Sequence, residues 1–103
     1  MKSRLLALAL AAALVACGGS DQREVGVVIG VEGDLAAVDS FEVITGAGER
    51  LTFKPADGLR TFSHGGPLTH LTDHLRSGSP IRVTYDTDTN GLLIAIRVED
   101  VEG

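Results

Sequence analysis

The 103-residue chain has one cysteine, one methionine, no tryptophan and only four aromatic rings, Phe41, Phe53, Phe62 and Tyr85. A single cysteine rules out an intramolecular disulfide, and in an exported chain an odd thiol calls for another explanation. With so few rings, the core must rest mainly on Val, Ile and Leu. Basic residues are also sparse: nine Lys and Arg stand against fourteen Asp and Glu, a net charge of −5. After Arg4 they are scattered singly, as Arg23, Arg50, Lys54, Arg60, Arg76, Arg82 and Arg97. Phosphate binding needs clustered Lys and Arg, so this pattern argues against nucleic acid as a partner. No apolar run approaches the roughly 20 residues needed to cross a hydrocarbon core. The longest, residues 5–16, is broken by Cys17, Gly18, Gly19, Ser20 and Asp21.

That run is nevertheless informative. Lys2 and Arg4 form a positive n-region, residues 5–16 carry no charge or strong polar group, and together they have the layout of a secretory signal. The residues that end it, Leu14-Val15-Ala16-Cys17, resemble the lipobox of bacterial lipoproteins: an aliphatic residue, a tolerant position, a small residue, then cysteine. The resemblance implies thioether lipidation and palmitate on Cys17, with cleavage before it, and accounts for the lone thiol. Each buried methylene of a lipid chain contributes about 0.8 kcal/mol, so two or three chains give stable residence in a membrane. The expected organisation is a signal peptide over 1–16, the lipidated Cys17 with a glycine-rich tether over 17–23, and one small domain over 24–103. Localisation follows as exported and lipid-anchored to the cell membrane or outer membrane, the domain lying in the periplasm or at the cell surface. Cleavage removes Lys2 and Arg4 but no acid, leaving seven basic and fourteen acidic residues, a net of −7.

About eighty residues support one modest core. Val25, Val27, Ile29 and Val31 alternate with Gly26, Val28 and Gly30, which predicts a strand over 24–31. Glu32-Gly33-Asp34 is a turn signal, and an extended pattern resumes over 35–45. There the spacing of Val38 and Phe41 breaks the alternation, so a bulge near Asp39-Ser40 is needed to bring both inward. A hairpin loop at Gly46-Ala47-Gly48-Glu49 leads to a third strand with Leu51 and Phe53, stopped by Pro55. Pro67 opens a helix over 67–76 whose Leu68, Leu71 and Leu75 share a stripe, and Ser77-Gly78-Ser79-Pro80 ends it. Two more strands follow, Ile81-Val83-Tyr85 and Leu92-Ile94-Ile96-Val98, joined through the turn dipeptide Asn90-Gly91. The fold class is mainly β with one helix. The order β-β-β-α-β-β resembles the OB-fold, a small five-stranded Greek-key barrel, and an SH3-like barrel with an inserted helix is the alternative.

Three constellations carry candidate chemistry. His70 and His74, four apart on the predicted helix, and His64 in the loop before it form a candidate metal set, with zinc the representative ion and Asp73 able to orient an imidazole or to bind directly. The helical histidines fall outside the leucine stripe and are expected to avoid the core. No second cysteine exists, and the only methionine lies in the signal, which disfavours a soft Cu(I) site. Asp86-Thr87-Asp88-Thr89-Asn90-Gly91 matches the first half of an EF-hand loop, but Arg97 stands where the bidentate Glu belongs, so a polar hairpin turn is the better reading. In an OB-fold the loops joining strands one to two and four to five frame the ligand side. Here they carry Glu32, Asp34, Asp86, Asp88 and Asn90, a candidate rim for a cation or basic peptide. Ser63, His64 and Asp57 are the obvious loop candidates for a small hydrolase, and no nucleophile-elbow motif accompanies them. Glu99 and Asp100 alternate across a strand and read as solvated charges. The expected function is a membrane-anchored, non-enzymatic binding or structural module of the bacterial cell envelope, with an envelope protein or basic peptide as partner. A divalent-metal-binding lipoprotein using His64, His70 and His74 is the alternative, and a hydrolase the second.

Overall fold

The computed structural model describes residues 22–34 and 37–101. The signal segment, the lipidation position Cys17 and most of the tether therefore lie outside the described residues, as do Leu35 and Ala36. The chain forms β1 (Gln22–Gly33), β2 (Val38–Thr45), β3 (Arg50–Pro55), a 3-10 turn (Leu68–His70) running into α1 (Leu71–Ser77), β4 (Ile81–Thr87) and β5 (Leu93–Asp100). The strands close into a barrel in the order β1-β2-β3-β5-β4. The β3–β5 pair is parallel and every other pair antiparallel. With the helix between β3 and β4, this is the small OB-like barrel expected from the element order.

Closure requires strands to coil, and bulges supply the coiling. Glu32 pairs with Ser40 and Gly33 with Val38, so Asp39 is an extra residue on β2, where the phase conflict between Val38 and Phe41 demanded one. Two further bulges were not expected. Val28 pairs with Val43 and Gly30 with Glu42, leaving Ile29 extra on β1. Thr84 pairs with Arg97 and Tyr85 with Ala95, leaving Ile96 extra on β5. Each shifts the inward face by one residue. On β1 the buried residues are Gly26 and Val28, not the expected Val25, Val27 and Ile29, and Val25 is exposed. On β5 the buried residues are Ala95 and Val98, while Ile96 is exposed. Gly26 pairs with both Thr45 of β2 and Ile81 of β4. A Cβ there would stand 2.4 Å from the Ile44 carbonyl oxygen, so only glycine fits where β1 passes from one partner to the other.

The barrel is filled by its own side chains. Val28, Phe41, Val43, Phe53, Ile81, Val83, Ala95 and Val98 form a core with Phe62, Leu68 and Leu71. Phe53 lies 5.5 Å from Phe41 and 5.1 Å from Tyr85, ring centroid to centroid. Each fully buried aliphatic or aromatic side chain contributes roughly 1.5–3 kcal/mol. Burial also pushes the Tyr85 phenol above its ordinary value, with Glu24 and Glu49 adding to the shift.

The helix departs from the expected stripe. Its first turn is 3-10, with three residues per turn, so Leu68 and Leu71 stack one above the other and the next inward position is His74. Leu75 is 41% exposed. Gly78, in the left-handed region at φ 74°, ends the helix by donating its N–H to the His74 carbonyl.

Candidate histidine–aspartate cluster

Residues 56–67 bring the first histidine into place. Ser63 N–H donates to the Val98 carbonyl of β5, Gly65 N–H to Phe62 O and Phe62 N–H to Gly66 O, which folds a tight turn against the end of the barrel. A Cβ on Gly66 would stand 2.5 Å from the His64 ring, so the ring lies over bare glycine backbone. His64 Nδ1 accepts from Gly66 N–H at 3.1 Å.

Phe62, 2% exposed, is the hub of the cluster. His64 and His74 stack on it at 5.2 and 5.6 Å, and His70 meets it edge-on at 5.1 Å. The imidazoles are neighbours as well, His70 lying 5.7 Å from His64 and 5.0 Å from His74. All three histidines singled out in the sequence therefore converge, His64 from its loop, His70 from the 3-10 turn and His74 from α1.

Their roles differ. Contrary to the expectation that the helical histidines avoid the core, His74 is buried, at 6% exposure. Its Nδ1 lies 2.9 Å from the Ser79 carbonyl and its Nε2 2.7 Å from Asp100 Oδ1. Both ring nitrogens are thus engaged, and none is left for a ligand. The other Asp100 oxygen, Oδ2, lies 3.2 Å from His64 Nε2. His70 directs Nδ1 to Asp73 Oδ2 at 3.0 Å. The group whose donor atoms lie within 4.8 Å of one another is thus His64, His70 and Asp100. Asp100 is the residue that the sequence reading missed. Glu99 and Asp100 do alternate, Glu99 pairing with Arg82 and Arg97 at 3.7 and 3.8 Å, but Asp100 turns to the side where the loop and helix deliver imidazoles.

Ser63 and Asp34 line open depressions beside this cluster, and the remaining candidates stay apart from it. His64 has one nitrogen on Gly66 and the other on Asp100, so neither engages Ser63 or Asp57. Asp88 Oδ1 accepts from the N–H groups of Asn90 and Leu92 at 2.8 Å, closing the 88–92 turn on itself with Gly91 at φ 86°. Asp86 keeps one buried oxygen, Oδ1, without a hydrogen-bond partner among the described residues. Glu32 is the penultimate residue of β1, and Asp34 shares an open depression with Thr69, His70 and Asp73. A second depression, about 220 Å³, lies between Val38, Pro55, Leu59 and Leu68. No helix among the described residues is long and apolar enough to cross a membrane. No family model matches the chain, and no curated protein is significantly similar to it.

Proposed function

We propose that the chain is a lipid-anchored, non-enzymatic binding module of the bacterial cell envelope. The observation that carries this reading is the spacing between anchor signal and domain. Leu14-Val15-Ala16-Cys17 closes a signal-like segment, and the first barrel strand starts at Gln22, five residues beyond the cysteine. A closed barrel whose interior is occupied by Phe41, Val43, Phe53 and Val83 meets ligands on its outside, which suits recognition better than enclosed chemistry. The polar side chains that converge on that outside are the histidine–aspartate cluster, and it lacks an activated serine.

The test is metabolic labelling of the full chain in a bacterial host with a clickable palmitate analogue, followed by membrane fractionation. The wild type should carry label and stay in the membrane pellet until detergent is added. Cys17→Ala should lose the label and remain unprocessed. A processed, unlabelled, soluble product from the wild type would overturn the anchor reading.

A further inference from the structure

We infer that His64, His70 and Asp100 form an open, three-ligand site for a borderline divalent transition cation of the zinc class, with His74 and Asp73 as positioning residues. The inference deepens the reading of the chain as a binding module by naming the ligand. It differs from the three-histidine set suggested by sequence, because His74 has both nitrogens engaged and lies beneath the site.

The donor geometry is close to what such an ion needs. A tetrahedral zinc with bonds of about 2.0–2.1 Å keeps its donors about 3.3 Å apart. His64 Nε2 and Asp100 Oδ2 are already 3.2 Å apart, and the His70 donor lies within 4.8 Å of both. Closing the site therefore takes a shift of about 1.5 Å by a single ring. His70 is a third exposed and sits at the junction of the 3-10 turn and α1.

The surroundings are those of a metal ligand set. A ligating histidine characteristically donates its second nitrogen to a carboxylate, which fixes the ring and raises its basicity. His70 does so through Nδ1 to Asp73, and Nε2 has no hydrogen-bond partner among the described residues. The Asp100 carboxylate is held in the same manner, Oδ1 by the buried His74 and Oδ2 turned outward. Two imidazoles and one carboxylate favour zinc-class ions over calcium or magnesium, which take oxygen ligands. The fourth position faces solvent, since His64 is 44% and Asp100 38% exposed.

Binding carries a local signature. His64 now accepts the Gly66 N–H on Nδ1, so its proton sits on Nε2 and points to Asp100. The ion takes the place of that proton, the ring carries its hydrogen on Nδ1 instead, and the bond from Gly66 N–H opens. One proton of His64 has moved and none is consumed.

The experiment is titration of the full chain, in detergent micelles, with ZnCl₂ by calorimetry and by amide NMR, with CaCl₂ in parallel. Expected are one zinc per chain, a displaced Gly66 amide resonance and no calcium binding. His64→Gln and His70→Gln should remove saturable binding, and the exposed Asp73→Asn should weaken it by about 10–100-fold while leaving the melting temperature unchanged. The inference is overturned by an absence of one-to-one zinc binding, by wild-type affinity in His70→Gln, or by zinc binding that leaves Gly66 unmoved. A chain that is lipidated yet binds no zinc overturns the metal site and spares the anchor. A chain that binds zinc without lipid does the reverse.

Discussion

Asp100 serves two histidines at once, and burial alone should make the two pairs unequal. His74 Nε2 meets Oδ1 at 2.7 Å from a side chain that is 7% exposed, whereas His64 Nε2 meets Oδ2 at 3.2 Å from one that is 44% exposed. A hydrogen bond to a charged group contributes about 1.5–3 kcal/mol net. Asp100 is itself 38% exposed, which screens the pair and puts the His74 coupling at the low end, about 1.5–2 kcal/mol. The His64 pair joins a neutral imidazole N–H to the carboxylate with both partners exposed, so it should contribute no more than about 1 kcal/mol. Two double-mutant cycles measure this, His74→Ala with Asp100→Ala and His64→Ala with Asp100→Ala, each read from urea unfolding without metal. The His74 coupling should remain the larger at about 0.5 M NaCl, because its ring is buried and little screened by salt. Equal couplings, or a larger and salt-resistant one for His64, would refute the assignment of His74 as the residue that fixes the carboxylate.

Two further outcomes follow from the core. Leu71→Ala should cost about 2–5 kcal/mol in a chemical melt because Leu71 is fully buried. Leu75→Ala should stay within about 0.5 kcal/mol, since Leu75 is 41% exposed; a large loss there would restore the leucine stripe that the sequence suggests. The Tyr85 phenol is raised by burial first and then by Glu24 and Glu49, so the folded state holds its proton to higher pH than the unfolded chain does. Its contribution is therefore complete below about pH 10 and is lost as pH rises through the folded value. Tyr85→Phe should flatten that alkaline fall in stability, and an unchanged slope would count against Tyr85 as its source.

The barrel was legible because element order and turn chemistry are local. Gly48 and Gly91 take positive φ in the two hairpin loops where the sequence placed turns, and Pro55 ends β3. Phase was harder to read. Alternation predicts an inward face only until a bulge intervenes, and the bulges at Ile29 and Ile96 are set by barrel closure, a non-local demand. Asp39 was found because Val38 and Phe41 conflict openly, whereas Ile29 and Ile96 sit in runs where every position is apolar or small. The helix misled for a related reason: a 3-10 first turn moves the stripe from Leu75 to His74, and nothing in the sequence of 67–71 announces it. That same shift carries His74 beneath the site and leaves Asp100, read from sequence as a solvated strand end, as the group that unites the cluster.

Strand register also orients the cluster relative to the proposed anchor. Four residues separate Cys17 from Gln22, and the five steps between the two span at most about 18 Å. Gln22 pairs with Tyr85 and accepts from the Thr87 hydroxyl through Oε1, so the anchored end of the barrel is the end of β4 that leads into the acidic 88–92 turn. Asp100 pairs with Ile81 at the start of β4, four residues from Tyr85 and so about 13 Å farther along the strand. On the lipid-anchor reading, the turn carrying Asp88 lies towards the membrane, and the histidine–aspartate cluster lies towards the aqueous side. A cation bound at His64, His70 and Asp100 would then remain accessible to soluble exchange partners, and the open fourth position at that site is the place where such a partner's donor would enter.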